Sequence, residues 1–502
     1  MTLGRNLIAG LANSIWSALI GLAVVPFYLK YLGIEAYGLI GFFVTTQALL
    51  QLLDMGMAPT INREVARCSA AGDLKDAGKL LHTLAVVYWG IAAAIAALIL
   101  ALAPFISEYW LQSRQLSPET VAHAVMLMGL VVACRWPIGL YQGALIGAQR
   151  LTVSSAINMT MVTIGSVGAI AVLAFVSPTI EAFFIWQACV GLVYAIVMRT
   201  AAWRIIGRTE QNRFNLGQLK SVWRFTAGMS GIGLTALVFT QLDKVILSKM
   251  LGLGEFGHYM LATVVVSGLY VLISPLFNVM YPRFSALVVT GETEKLIELY
   301  RLGTRMLATV LFPIAMVLAL FAEDLVHVWT GDPVIAASVA PIIVLLVIGS
   351  ALNGVMYFPY ALQLAYGMTW IPLTINMVLM CFLVPTIIYL AQEYGALGGA
   401  MAWMIAEVAY VLLGPWLTHR YILKGLAPKW FLQDVCLPLV PTLLIGVAGH
   451  HAILAGGFSH YERVVWAGGL AIFTATLILL MSGQLRNVVW SYARQKRFVI
   501  KM

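Results

Sequence analysis

The sequence predicts an all-α polytopic membrane protein with about 14 transmembrane helices, arranged as two parallel six-helix lobes plus two C-terminal helices. Three observations carry that fold class: the composition, the spacing of apolar runs, and the sorting of Lys and Arg between them. Hydrophobic residues make up 61% of the 502 and charged residues only 10%, with a mean hydropathy of +0.91. Soluble domains carry about 25% charged residues. The solvent this chain is built for is lipid.

A spanning helix needs about 20 mostly apolar residues. Runs of that kind lie at 10–30, 38–58, 82–105, 120–143, 152–176 and 182–199. A second series follows at 224–248, 257–280, 303–322, 335–358, 370–391 and 397–417, and two further runs lie at 435–455 and 463–482. The first run is read as a membrane helix, not a cleaved leader. It is long, no convincing small-residue cleavage site follows it, and another apolar run begins at once.

With the N-terminus in the cytoplasm, the basic residues sort sharply. Inside fall Arg5; Arg63, Arg67, Lys75 and Lys79; Arg150; Arg199, Arg204, Arg208, Arg213, Lys220 and Arg224. The later inner segments take Arg283, Lys295, Arg301 and Arg305, then Arg420, Lys424 and Lys429, then Arg486, Arg494, Lys496, Arg497 and Lys501. Lys30, Arg114, Lys249 and Arg463 fall outside, and Arg135 and Lys244 fall within spans. A missed helix would scramble this positive-inside pattern. Both termini are therefore expected in the cytoplasm. No extramembrane segment exceeds roughly 25 residues, so no soluble catalytic domain is expected.

The net charge of +9 could suggest nucleic acid, but the basic residues form short clusters between apolar runs and no single stripe. The five cysteines are scattered and odd in number, with neither a disulfide framework nor a metal spacing. No cofactor is expected: the sequence has no phosphate-binding loop, no HExxH and no nucleophile elbow.

The chain is internally duplicated. Leu32-Gly33-Ile34-Glu35-Ala36-Tyr37-Gly38 and Leu251-Gly252-Leu253-Gly254-Glu255-Phe256-Gly257 both read L-G-x-x-x-[YF]-G. At the same offset Lys30 falls on Lys249, Ala103 on Ala322 and Trp110 on Trp329; with a one-residue slip Asn158 falls on Asn376. An even number of helices per repeat makes the repeat parallel. Residues 1–205 form the first six-helix lobe, 206–223 a basic cytoplasmic linker, 224–425 the second lobe, and 426–502 two added helices with a basic tail. The second copy also satisfies G-x-G-x-x-G. It sits between membrane helices and not after a strand, which excludes dinucleotide binding.

The chain resembles the multidrug/oligosaccharidyl-lipid/polysaccharide exporter superfamily, and within it the polysaccharide-biosynthesis branch of Wzx-type O-antigen flippases. The residues that carry the resemblance are Pro26, Tyr31-Leu32-Gly33, Tyr37-Gly38, Leu53-Asp54-Met55-Gly56-Met57 with Asn62-Arg63, and Gln241-Leu242-Asp243-Lys244 with Leu251-Gly252 and Gly257. The resemblance implies an undecaprenyl-diphosphate-linked oligosaccharide as cargo, a central cationic cavity, and alternating access by rocking of the two lobes. Related lipid II flippases carry arginines in their first helix. Here that helix offers Asn13 and Ser14, so other residues must meet the diphosphate. Expected partners are this lipid-linked oligosaccharide, membrane lipids, and a polysaccharide polymerase with its chain-length machinery.

A charge at the bilayer centre costs about 2.5–3.5 kcal/mol, so each intramembrane charge is a candidate. Arg135, in the fourth run, is the candidate diphosphate contact, because a guanidinium fork bonds phosphate oxygens in pairs; the alternatives are a snorkelling or ion-paired arginine. Lys244, and Arg63 with Arg283 at corresponding helix ends, are further anion-binding candidates. Asp243 and Lys244 are adjacent and are expected not to neutralise one another. Asp243, Glu407 and Asp54 are candidates for ion coupling or gating, with Asp54 expected to bond a basic loop. Asn158 and Asn376 are a matched pair that could bridge helices or touch sugar hydroxyls. Within transport the alternative is a multidrug or organic-cation exporter of the same fold, which usually wants acidic cavity residues. A membrane glycosyltransferase or polymerase would need larger outer loops, and a scaffold would not need buried charges.

Overall fold

The computed structural model describes residues 2–54, 56–71, 74–207, 214 and 216–486. Arg208 and Arg213 of the linker, and Arg494, Lys496, Arg497 and Lys501 of the tail, lie outside them. The described chain is helical throughout apart from turns and one isolated parallel bridge between Gln112 and Gly252. Its helices are α1 (Thr2–Leu50), α2 (Met57–Ala71), α3 (Lys75–Phe105), α4 (Pro118–Arg135), α5 (Ile138–Gly147), α6 (Leu151–Phe175), α7 (Ile180–Ile206) and α8 (Leu216–Met250). They continue as α9 (Leu253–Thr290), α10 (Thr293–Leu320), α11 (Ala322–Thr330), α12 (Pro333–Ala365), α13 (Trp370–Tyr421), α14 (Ala427–Lys429), α15 (Leu437–Ala455) and α16 (His460–Met481).

Among the described residues, eleven helices are long and apolar enough to cross a membrane. Two of them hold two predicted spans each: α1 turns at Gly33 (φ 78°) and α13 at Gly395 (φ 59°), both outside helical geometry. Positive φ costs glycine nothing, so a chain can double back there without a loop. The 35-residue α8 takes the remaining span. Every predicted run thus finds a helix.

Three boundaries differ from the hydropathy reading. The second run does not continue to 58. α1 stops at Leu50, a 3-10 turn covers Gln51–Asp54, and α2 begins at Met57. α2 buries Met57, Thr60, Ile61, Val65 and Cys68 at helical spacing and exposes Arg63 and Arg67, so it is amphipathic and not spanning. The fourth run is broken after Arg135, because Pro137 lacks an N–H and its ring opposes the preceding turn. Finally, neither Arg63 nor Arg283 ends a helix: Arg63 lies within α2, and α9 runs past Arg283 to Thr290. An apolar run ends where lipid ends, but the hydrogen-bond ladder of a helix can continue into water.

The chain forms two compact units, Met1–Met260 and Leu261–Met502. In the first, α1 packs on α6, α4 on α3 and α7, and α2 on α5. A core of Ile61, Leu81, Leu84, Tyr141, Leu145 and Met198 gathers α2, α3, α5 and α7. The two copies of the L-G-x-x-x-[YF]-G motif also meet here. A Cβ on Gly38 would lie closer than 3.0 Å to the carbonyl oxygen of Leu253, and one on Gly257 closer than 3.0 Å to that of Ile34. Ile34 and Leu253 are equivalent in the repeat, as are Gly38 and Gly257, so the contact is reciprocal in the way a two-fold interface is. The segment after α3 completes this clasp. Leu253 N donates to Gln112 O (2.7 Å), and Trp110 Nε1 donates to Ser248 Oγ (3.1 Å). The Glu35 carboxylate accepts from Ser113 Oγ (2.9 Å) and from the N–H groups of Arg114 (3.2 Å), Gln115 (2.9 Å) and Leu116 (3.4 Å).

In the second unit α12 packs along α13 and α10, and α15 and α16 pack on α10. Tyr300 of α10 stacks on Trp430 and meets His419 of α13, with Tyr300 Oη 3.2 Å from His419 Nε2. Trp430 Nε1 donates to Thr304 Oγ1 (3.1 Å), which ties the segment before α15 to α10.

Candidate functional site

Arg135 is the last residue of α4, placed there by the Pro137 break. Its Nη2 donates to Gln187 Oε1 of α7 (2.5 Å), and its guanidinium lies 5.8 Å from the Phe43 ring centroid. Gln187 is itself fixed, because its Nε2 donates to the Gly165 carbonyl of α6 (3.4 Å), which turns the amide oxygen toward Arg135. Tyr28 and Tyr194 lie within electrostatic reach of the guanidinium. Among the described residues no carboxylate pairs with Arg135. A cation held by a neutral amide and an aromatic face keeps its charge uncompensated, which is the condition for taking an anion.

The polar line continues along α1, α6 and α7. Asn158 Nδ2 donates to Asn13 Oδ1 (2.9 Å), and Tyr194 Oη donates to Asn158 Oδ1 (2.9 Å). Asn158 therefore bridges three helices. Its repeat mate Asn376, in α13, is buried in the second unit. Gln187, Tyr28 and Tyr194 were not singled out from the sequence. A lone amide such as Gln187 within an apolar run was the available signal, but its partner stands 52 positions away.

Asp243 and Lys244 do pair, contrary to the expectation from helix spacing. Lys244 Nζ lies 3.1 Å from Asp243 Oδ1. The rule for neighbouring positions concerns Cβ directions, and the four-carbon lysine stem is long enough to fold back. Lys244 also donates to the Thr240 carbonyl (2.9 Å), and Tyr259 Oη donates to Asp243 Oδ2 (2.5 Å). Asp54 accepts from Tyr88 of α3 and from the Ala58 N–H, so its partners are a phenol and the start of α2 and not a basic loop. Arg63 and Arg283 are exposed. Glu407 of α13 is fully buried; Asn353 Nδ2 of α12 donates to Oε2 (3.0 Å), and Oε1 has no partner among the described residues.

Two ionic clusters were not foreseen. Asp434, fully buried before α15, receives Arg301 (2.7 Å) and Arg305 of α10. Gln433 and Gln484 take further guanidinium donors, from Arg301 (2.6 Å) and Arg305 (2.8 Å). Both arginines had counted only as inner anchors. Asp324 of α11 receives His460 Nδ1 (2.5 Å) and Arg463 Nη1 (3.4 Å) of α16. No group of three or more His, Cys, Asp or Glu able to hold a metal occurs among the described residues.

A family model described as "Polysaccharide biosynthesis protein" matches residues 30–339. The chain is 24% identical over 297 residues to the lipopolysaccharide biosynthesis protein WzxC of Escherichia coli, covering 57% of this chain and 59% of that one. It is 23% identical over 443 residues to the succinoglycan biosynthesis transport protein ExoT of Rhizobium meliloti, covering 82% of this chain and 81% of that one. Among solved structures, the lipid II flippase MurJ in an inward closed conformation has a similar fold, with a TM-score of 0.70 at 12% identity over 95% of this chain and 98% of that one.

Proposed function

The chain belongs to the polysaccharide biosynthesis protein family, a family of multi-pass membrane transporters, and from that premise we propose that it flips an undecaprenyl-diphosphate-linked oligosaccharide from the inner to the outer leaflet of the bacterial inner membrane. The observation that carries the reading is Arg135. An arginine inside a membrane segment, held by Gln187 and Phe43 with no carboxylate paired to it among the described residues, suits a diphosphate and repels an organic cation. The rest of the Asn13–Asn158–Tyr194 line offers neutral hydrogen-bonding groups beside it. Transport proceeds by alternating access of the two lobes, 1–205 and 224–425, with both termini in the cytoplasm, and feeds a polymerase and its chain-length machinery. The exposed Arg63 and Arg283 serve as headgroup collectors. If an ion is coupled, Glu407 is the better carrier, because it is fully buried with one oxygen unpartnered among the described residues, whereas Asp243 is already compensated by Lys244.

The test is Arg135→Ala in the source bacterium, with surface polysaccharide and membrane protein level both measured. Polysaccharide is lost at unchanged protein level, and Arg135→Lys restores part of it because an ammonium lacks the bidentate fork. Full polysaccharide from the alanine variant would refute the assignment.

A further inference from the structure

We propose that four aromatic residues of the second unit, Phe277 and Tyr281 of α9 with Tyr357 and Tyr360 of α12, form a carbohydrate-stacking terrace that receives the sugar part of the cargo. The inference rests on the flippase reading and adds to it a second subsite, remote in sequence from Arg135 and of different chemistry.

Tyr281 lies one helical turn after Phe277, and their rings are parallel within 7° with centroids 5.7 Å apart. Tyr360 of α12 lies within 16° of the Phe277 plane at 6.0 Å. Parallel rings at such separations are offset sideways, so each step leaves part of a face uncovered. Tyr357 meets Phe277 edge-on (5.6 Å, 88°) and closes one end. All four rings are half-buried. The α9–α12 approach that sets them is tight: a Cβ on Gly354 would lie 3.0 Å from Ile273 Cδ1.

The hydroxyls point to an occupant. Tyrosine O–H groups both donate and accept hydrogen bonds beside an apolar ring. Among the described residues those of Tyr281, Tyr357 and Tyr360 have no partner, and all three remain accessible. Asn353, one helical turn before Tyr357, is committed to Glu407. Lipid chains would leave three phenol hydroxyls unpaired. A pyranose satisfies both features: its C–H face carries partial positive charge suited to the negative face of an aromatic ring, and its equatorial hydroxyls bond phenols at the rim. The steps between rings are about the width of one sugar ring, so a short oligosaccharide can lie along them.

The experiment uses the full chain in nanodiscs with two probes: lipid-linked oligosaccharide extracted from the source cells, and bare undecaprenyl diphosphate. Phe277→Leu and Tyr360→Leu keep apolar volume and remove the ring. Each weakens binding of the sugar-bearing lipid about tenfold and leaves the bare lipid diphosphate unchanged. Tyr360→Phe, which keeps the ring, loses less than Tyr360→Leu. Arg135→Ala weakens both probes. Equal weakening of both probes by the leucine variants, or none, overturns the terrace and makes these rings an interfacial belt or a packing element while the flippase reading stands. Failure of the wild-type protein to bind either probe overturns the flippase reading and the terrace with it.

Discussion

A methyl group at Gly38 is the most direct probe of the clasp between the repeated motifs. The atoms it would meet are backbone: beyond the carbonyl oxygen, the Leu253 carbonyl carbon stands at 3.2 Å and Gly257 N at 3.4 Å. Backbone cannot rotate aside, so the two segments must part. Overpacking of this kind costs about 1–3 kcal/mol. Gly257→Ala meets the Ile34 carbonyl in the same way, with Ile34 Cγ1 at 3.1 Å, and belongs in the same range. Because both methyls press on one contact, the first already separates the segments and the second adds little. The double variant is therefore less destabilised than the two single effects combined, by about 0.5–2 kcal/mol. Gly21→Ala is the control, since its Cβ would have nothing within 4 Å and its helix gains from losing a glycine. Thermal unfolding of the purified protein in one detergent reads the effect as a loss of about 2–4 °C per kcal/mol for a unit of this size. A Gly38→Ala melting temperature equal to that of Gly21→Ala, or full additivity in the double variant, would refute the reciprocal contact.

Asp434→Asn leaves Arg301 and Arg305 facing each other without a carboxylate and destabilises the packing of α15 and α16 on α10 by about 3 kcal/mol, read by melting and by proteolysis of residues 421–430. Replacing Arg301 and Arg305 by Leu in the same background recovers part of that loss; no recovery would show that the arginines are not the cause. For topology, single cysteines at Arg114 and Lys429, in a background lacking the five native thiols, react with an impermeant reagent from outside and from inside respectively. Labelling of both from one side would break the inside–outside alternation of the spans. Two cargo charges crossing an inside-negative membrane gain about 4–5 kcal/mol per 100 mV, so flipping in reconstituted vesicles rises with imposed potential. The same extent at zero potential, controlled by a proton or sodium gradient alone, replaces this drive with obligate antiport.

The spans and the duplication were legible in the sequence, the spans because each is set by what lies next along the chain. Lipid solvation acts over a run of about 20 residues. Arg135 was legible for the same reason, since the cost of a charge in lipid does not depend on its neighbours. Its meaning was not. Whether it was paired, snorkelling or open to an anion depended on which helix crosses α4 at that depth, and among the described residues the crossing brought Gln187 and Phe43 but no carboxylate. The same holds for Asp434, read as nothing until α10 placed two arginines on it, and for Asp54, whose partner is Tyr88 of the following span. Asp243 and Lys244 show the limit from the other side, because a rule about Cβ directions could not see how far a flexible stem reaches. In the aromatic terrace, the spacing of Phe277 and Tyr281 was visible as one helical turn, while Tyr360 joins them only because α9 and α12 touch at Ile273 and Gly354. Local solvation and hydrogen bonding decide where helices are; contact between distant helices decides which side chains can act together.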